Sequence, residues 1–204
     1  MKRSLLFFTA LLLTACTFGG ARNTDGSGNL VVMQGTGKVW PIEGGGSRKI
    51  LLPFGMHVTP DATNNPIDPP ERFSGYHVGT DFEISQGEAD KVINVYAVCD
   101  GDINSSGFVE GYGGLITEYC TINNEKVTVL YGHLAIDSLV AAKTAVTKGQ
   151  KIAILGAAHS HDTDENRKHL HFGIVKGWTN DVNGYVQTPE ELNLFMDAKT
   201  VLPL

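Results

Sequence analysis

The sequence KHLHF at residues 168–172 carries the pattern that decides the fold class. Polar and apolar side chains alternate through it, as they do in a β-strand, where residues i and i+2 project from the same face. His169 and His171 should therefore project together, while Leu170 and Phe172 pack behind them. Strand-like runs bounded by turn residues recur along the chain, at residues 80–84, 92–98, 101–104, 115–122, 126–131, 151–155 and 169–175. The sequence thus predicts a mainly β domain, formed by two packed antiparallel sheets or a distorted barrel.

One short helix is predicted near the C-terminus. In the sequence TPEE at residues 188–191, Thr188 can cap the helix and Pro189 suits its first position. Glu191 completes a capping box. We expect this helix to run to about Ala198. No internal repeat is visible, so residues 47–204 are predicted to be one domain.

The N-terminus has the pattern of an export signal. Residues 1–15 read MKRSLLFFTALLLTA, a basic start followed by an apolar run too short to span a membrane. The sequence LTAC at residues 13–16 resembles the bacterial lipoprotein signal, in which Cys16 is acylated after cleavage. An ordinary secretory signal with an incidental Cys16 is the alternative. We therefore predict a signal peptide at 1–15, a lipid-anchored flexible linker at 16–46, and a protein held in the bacterial cell envelope.

Charge excludes one class of partner. The formal net charge is −6, and no long basic run follows the signal. Nucleic acid is therefore not expected as a partner, because its recognition depends on clustered Lys and Arg. The membrane is expected to be contacted through the lipid anchor alone.

Two further cysteines, Cys99 and Cys120, lie where an exported protein can form a disulfide. Each follows or ends a strand-like run, residues 92–98 and 115–119, and these two runs could pair across a glycine-rich hairpin. The alternative is a pair of buried free thiols. Neither cysteine has the CxxC spacing of a metal site, so we do not predict them to be ligands.

Histidines and one aspartate form the candidate site. The sequence GYHVGTD places His77 four residues before Asp81, and YGHL places His133 just past a predicted strand. With His169 and His171, these residues offer the nitrogen and carboxylate ligands that zinc accepts. Two histidines and an aspartate are enough for a catalytic zinc site with one open position. Each motif alone is a weak signal, but their joint occurrence is specific.

These motifs resemble the LytM/lysostaphin-type zinc metallopeptidases, which cleave the peptide part of bacterial peptidoglycan. The family pattern is His-x-x-x-Asp, then Tyr-x-His-Leu, then His-x-His-Phe, and the three motifs occur here in the same order. Flanking sequence also agrees, including GYG at residues 111–113 and VTKGQKIA at 146–153. The resemblance covers roughly residues 70–176.

The resemblance implies a role for each site residue. His77, Asp81 and His171 would bind one Zn²⁺ per chain, and His133 and His169 would be a catalytic pair that does not bind the metal. Zinc would activate a water molecule, His169 would take its proton, and His133 would stabilise the oxyanion; the reverse assignment of the two histidines stays open. The implied activity is an endopeptidase acting on peptidoglycan stem or cross-bridge peptides.

One segment departs from the family pattern. Residues 157–168 read AAHSHDTDENRK, where the family has a shorter glycine-rich turn that ends in Gly-Pro. We interpret it as a solvated loop at the rim of the cleft. Alternatively, His159 or His161 caps the metal, or the acidic residues bind a second cation. Residues 50–72 could lie across the cleft as a blocking segment, and His57 within them has no motif around it.

Three functions are compatible with the sequence. The first is the active endopeptidase, which the presence of all five site residues favours. The second is a catalytically inactive relative that binds cell wall or activates an amidase. The third is a structural zinc protein whose fourth ligand is His159 or His161.

Overall fold

The computed structural model describes residues 39–61, 63 and 65–202. The predicted signal peptide and Cys16 lie outside these residues. Within the predicted linker, Ile42 is buried in the core and forms a β-bridge with Val95. The domain boundary at residue 47 stays a prediction. No helix within the described residues has the length and apolar character needed to cross a membrane.

The fold is built from short and long β-strands with only 3-10 helices between them. The strands are β1 (His57–Val58), β2 (Gly75–His77), β3 (Gly79–Glu83), β4 (Asn94–Tyr96), β5 (Gly101–Val109), β6 (Gly113–Ile122), β7 (Glu125–Leu134), β8 (Ala145–Val146), β9 (Lys151–Ile154), β10 (His169–Lys176) and β11 (Tyr185–Val186). The 3-10 helices are Gly45–Ser47, Ile136–Ser138, His161–Thr163, Pro189–Leu194 and Ala198–Thr200.

The strands form three antiparallel sheets. The largest has six strands in the order β3-β10-β7-β6-β5-β8, and the others have the orders β1-β2-β11 and β4-β9. This architecture confirms the predicted mainly β fold with packed antiparallel sheets. The strand β10 is apolar or buried along almost its whole length because it pairs with β3 on one side and β7 on the other.

The six-stranded sheet buries apolar side chains on both faces. Tyr131 and Phe172 lie in the main core, together with Val95 and Ile152 of the β4-β9 sheet. Leu130 is next to Tyr131 in sequence but packs in a second apolar cluster. Because neighbouring residues of a strand point to opposite faces, the two clusters lie on opposite sides of the sheet. The register places His171 opposite Gly132, on the face that Leu130 shares.

The hairpin that carries Cys120 differs from the expected pairing. In this hairpin β6 pairs with β5, with Gly101 opposite Cys120. Residues 94–96, part of the run that was expected to pair with it, pair instead with β9 in another sheet. Cys99 precedes β5 and is joined to Cys120 by a disulfide. The run at residues 92–98 therefore turns into the second sheet before the hairpin begins.

The C-terminal helix forms where Thr188 and Pro189 predict it, but as a 3-10 helix that ends at Leu194. The capping box between Thr188 and Glu191 is present. The helix stops before Ala198 because Phe195 is buried and forms a β-bridge with Val175 of β10. Tertiary packing thus ends the helix earlier than its local sequence predicts.

Candidate active site

Four strands bring the five predicted site residues together. The strands β2 and β3 carry His77 and Asp81, β7 carries His133, and β10 carries His169 and His171. All five side chains are buried. The register of β10 places His171 directly opposite Asp81, so residues 90 positions apart meet across one strand pair.

His77, Asp81 and His171 converge through one atom each. The Nε2 atom of His77 lies 3.0 Å from Nδ1 of His171, which lies 3.1 Å from Oδ1 of Asp81. The third side of this triangle, from His77 Nε2 to Asp81 Oδ1, is 3.3 Å. Tetrahedral zinc with bonds of 2.0–2.1 Å separates its ligand atoms by roughly 3.3 Å. The donor types and their spacing therefore fit a zinc ion.

Hydrogen bonds at the far side of two imidazoles decide which nitrogen faces the cluster. Nδ1 of His77 donates to the Pro53 carbonyl, 3.4 Å away. Nδ1 of His169 donates to the Arg167 carbonyl, 2.9 Å away. A carbonyl can only accept, so Nδ1 carries a proton in each ring and Nε2 is the nitrogen that faces the cluster. Nε2 of His169 lies 3.2 Å from Oδ2 of Asp81.

His133 lies inside β7, one residue before its end, and not just past the strand as the sequence predicted. Its ring centroid is 4.3 Å from that of His169. The backbone of His133 is left-handed, with φ of 64°, an uncommon state for a residue other than glycine. Hydrogen bonds from His133 N to Tyr112 O and from Gly156 N to His133 O hold it there.

Burial sets the protonation of the site. Burial would raise the pKa of Asp81, but His77 and His169 outweigh it and hold that pKa well below its usual range. Burial lowers the pKa of His133 well below its usual value, and it also lowers the pKa of His171. At neutral pH the site therefore contains an ionised Asp81 and a neutral His133.

The cluster opens into a cleft of about 390 Å³. Phe73 and Tyr185 stack on each other at one wall, with ring centroids 5.6 Å apart, and Tyr112 lies at another. Within the described part of the chain, three buried side-chain atoms have no hydrogen-bond partner: Tyr112 Oη, His133 Nδ1 and His171 Nε2. Buried polar atoms are rarely left unpaired. Tyr112, His133 and His171 all line the cleft, although these three atoms are themselves buried.

Several residues of the site were not predicted from the sequence. Arg167 reaches Asp81, Glu83 and Glu71, and Tyr112 lies between the histidines and the cleft wall. Arg167 precedes His169 by two residues, but a bend at Lys168 interrupts the strand alternation, so the motif pattern does not identify Arg167. Glu71 comes from a loop far along the chain, and no local pattern marks it.

The segment at residues 157–168 is partly exposed and reaches the cleft at Asn166. Thr163 is fully buried, and Asp162 accepts a hydrogen bond from Ile136 N. His161 stacks on Phe108, with centroids 4.4 Å apart, and Nδ1 of His159 contacts the Glu165 carbonyl. Neither histidine belongs to the cluster that could hold a metal.

The upstream segment at residues 50–72 is part of the domain. Asp81 N donates to Leu52 O, and His77 N donates to Met56 O, so this segment supports the two strands that carry the first motif. The His57 ring makes an edge-on contact with that of Tyr76, with centroids 4.7 Å apart, and His57 is exposed. Only the end of the segment, at Glu71, lines the cleft.

Comparison with protein families identifies the family of the chain. The model of peptidase family M23 matches residues 75–184, which include all five site residues. The chain belongs to peptidase family M23. This result confirms the resemblance read from the three motifs. No curated protein matches the chain.

Solved structures support the M23 fold. A structure of LytU is 22% identical, with a TM-score of 0.51 over 77% of this chain and 88% of that chain. A chain of the SpoIIQ–SpoIIIAH pore forming complex is 15% identical, with a TM-score of 0.53 over 81% of this chain and 90% of that chain. Csd3 of Helicobacter pylori is 21% identical over 74% of this chain, with a TM-score of 0.47. The chain spans 35% of the length of that Csd3 structure.

Proposed function

We propose that the protein is a zinc-dependent endopeptidase that hydrolyses peptide bonds in bacterial peptidoglycan. The observation that carries this proposal is the triangle of His77 Nε2, Asp81 Oδ1 and His171 Nδ1, with sides of 3.0–3.3 Å, beside an open cleft. Membership of family M23 supports peptide hydrolysis. The sequence resemblance to LytM/lysostaphin-type enzymes supports peptidoglycan as the substrate.

His77, Asp81 and His171 would hold the metal. A bound zinc ion would supply Lewis acidity and lower the pKa of a coordinated water toward neutrality. The buried carboxylate of Asp81 is already ionised, because its pKa is held well below the usual range. It therefore offers a charged ligand at every pH at which the protein is expected to work.

His169 and His133 would carry out proton transfer and charge stabilisation. Nδ1 of His169 is held by the Arg167 carbonyl, so Nε2 is free to take a proton from the attacking water and pass it to the leaving amine. His133 is neutral and has an unpartnered Nδ1, so it can donate a hydrogen bond to the developing oxyanion. Tyr112 Oη, also unpartnered, is a second donor in the same cleft.

The site would work outside the cytoplasm. Residues 1–15 are proposed to direct export, and acylation of Cys16 would tether the domain to the membrane through the linker.

The test is digestion of purified peptidoglycan by the full chain, followed by mass spectrometry of the released fragments. We expect new peptide termini that disappear with a chelator and return when zinc is added. His169→Ala and His133→Ala should also remove them, whereas His57→Ala, at the exposed histidine outside the cleft, should not. Digestion that survives the chelator and both site substitutions would contradict the proposal.

A second candidate function is a catalytically inactive protein that binds cell wall or activates an amidase. The structural match to a chain of the SpoIIQ–SpoIIIAH pore forming complex supports this second candidate, because proteins that share a fold need not share a reaction. One zinc per chain without new termini from several wall chemistries would support this second function. The structural zinc alternative is weakened, because neither His159 nor His161 joins the cluster.

A further inference from the structure

Arg167 lies on the same face of the sheet as the two motif histidines. It precedes β10 by two residues, with a bend at Lys168 between them, and its guanidinium contacts Asp81 and Glu83. The strand β3 places Asp81 and Glu83 on the same face as His169 and His171, with His169 opposite Glu83. The guanidinium is thereby directed to the back of the candidate metal centre.

All three nitrogen atoms of the Arg167 guanidinium donate hydrogen bonds. Nη2 donates to Asp81 Oδ2 at 2.8 Å and to Glu83 Oε1 at 2.8 Å, and Nε donates to both Glu83 oxygens at 3.1 Å. Nη1 donates to Glu71, whose other oxygen accepts from the Tyr185 hydroxyl at 3.1 Å. The Arg167 side chain is only 17% exposed, so these hydrogen bonds are shielded from water.

As a result, the two carboxylate oxygens of Asp81 have different partners. Oδ1 faces Nε2 of His77 and Nδ1 of His171, whereas Oδ2 faces Arg167 and His169. A carboxylate with one oxygen held in this way is oriented to offer the other to a metal. Hydrogen-bond partners behind metal ligands commonly orient the ligands and tune their affinity.

Arg167 also reaches the candidate catalytic pair through its backbone. Its carbonyl accepts from Nδ1 of His169, which fixes the orientation of the imidazole and leaves Nε2 toward the cluster. One residue therefore supports both a metal ligand and the proton-transferring histidine. The resembled family has a glycine at the corresponding place before the His-x-His motif, and glycine can supply the carbonyl but not the guanidinium.

We propose that Arg167 is a positioning residue of the metal centre, which holds Asp81 through Oδ2 so that Oδ1 alone binds the metal. This inference rests on the proposed zinc-dependent function. Lysine could not replace arginine here, because one ammonium group cannot reach Asp81, Glu83 and Glu71 in the geometry of the planar fork. Without the hydrogen bond from the Arg167 guanidinium, the carboxylate of Asp81 should be free to rotate.

The test compares the full-length protein with Arg167→Lys. Zinc affinity is measured by competition with a chromophoric chelator, the ligand geometry by the absorption spectrum of the cobalt-substituted protein, and folding by circular dichroism. We expect Arg167→Lys to weaken zinc binding by about 10- to 100-fold and to change the cobalt spectrum. Turnover should fall in kcat with little change in KM.

Arg48→Lys is the matched control. Arg48 is a buried arginine that donates to Glu88 at 2.8 Å and has no contact with the Asp81 side chain. The control should keep the wild-type zinc affinity within about twofold and keep the wild-type cobalt spectrum. If Arg167→Lys does not fold, the double variant R167Q/E83Q is measured in its place. It removes the charges of Arg167 and Glu83 together, so neither of the two is left without the other.

The outcomes separate this inference from the proposed function. Wild-type zinc affinity and an unchanged cobalt spectrum in the folded Arg167 variant would overturn the positioning role and leave the metal centre standing. Zinc binding that is equally weak in the wild type and in His77→Ala would overturn both. Zinc binding with the expected loss in the variant, but without peptide hydrolysis, would support the positioning role and refute the peptidase.

Discussion

At the scale of single residues, the histidines of the site are distinguished by what lies behind each ring. His77 and His169 each donate through Nδ1 to a carbonyl, so both present Nε2 to the cluster. His171 presents Nδ1, and its Nε2 has no partner among the described residues. The surroundings of each ring therefore decide which nitrogen it presents to the cluster.

The first prediction concerns His169, the proposed proton carrier. His169→Ala should lower kcat by about 10²- to 10⁴-fold, because it removes the group that transfers the proton. Zinc content should stay at one per chain, since His169 is not among the three proposed ligands. Steady-state kinetics on a peptidoglycan peptide and metal analysis of the same sample check this. Loss of zinc together with activity would instead make His169 a ligand.

At the scale of elements, a buried polar pair links β6 to β7. Glu118 is fully buried, and it accepts a hydrogen bond from the Tyr131 hydroxyl at 2.7 Å. Val98 N donates to the same hydroxyl at 3.0 Å, so the pair also ties in the segment before Cys99. Burial raises the pKa of Glu118 to about 7, although the bond from Tyr131 opposes this shift.

The second prediction concerns the pH dependence of stability. Because the folded pKa of Glu118 is raised from about 4.5 to about 7, its stabilising effect is complete below pH 4.5 and is lost as pH rises through 7. Relative to Glu118→Gln, the wild type should lose about 3 kcal/mol of unfolding free energy over this interval. The glutamine carbonyl can still accept from Tyr131.

Urea unfolding of both proteins between pH 4 and about 8 checks this prediction. Glu125→Gln makes the same substitution at an exposed position of β7 and should keep the wild-type pH dependence. Parallel stability curves for the wild type and Glu118→Gln would show that the buried carboxyl does not titrate in this interval.

At the scale of the whole molecule, the six-stranded sheet carries the main apolar core on one face and the candidate site on the other. Phe172 and Tyr131 point into the main core on one face, while His171 and Asp81 meet on the other. The β10 strand can carry both because its side chains alternate and because it lies between β3 and β7. The segment before β1 supports β2 and β3 through backbone hydrogen bonds, and Asn166 brings the segment at residues 157–168 to the cleft.

The third prediction concerns the whole exported chain. Cys16→Ser should move the protein from the membrane fraction to the soluble fraction of expressing bacteria, because the acylated thiol is the proposed anchor. Thr17→Ala, the neighbouring substitution, should leave the protein in the membrane fraction. Cell fractionation with detergent partitioning measures both. Wild-type protein that is already in the soluble fraction would favour the ordinary secretory signal, and membrane retention of Cys16→Ser would indicate another means of attachment.

Much of the fold was predictable because its signals are local. Alternation at residues 169–175 marks β10, and turn residues bound the other strands, so the mainly β class follows from short-range patterns. The family was also predictable, since three motifs keep their order and approximate spacing. The partner of residues 92–98 was not predictable, because strand pairing depends on contacts between distant segments.

The sequence alone determined the strand patterns, the exported character expected from residues 1–15, and the identity of the five motif residues. Only the tertiary structure decided which atoms of His77, Asp81 and His171 face one another, and that Arg167 lies behind them. The physical reason is that side-chain type and alternation are properties of neighbouring residues. The position of a guanidinium against three carboxylates depends on strand register and on loops that meet only after folding.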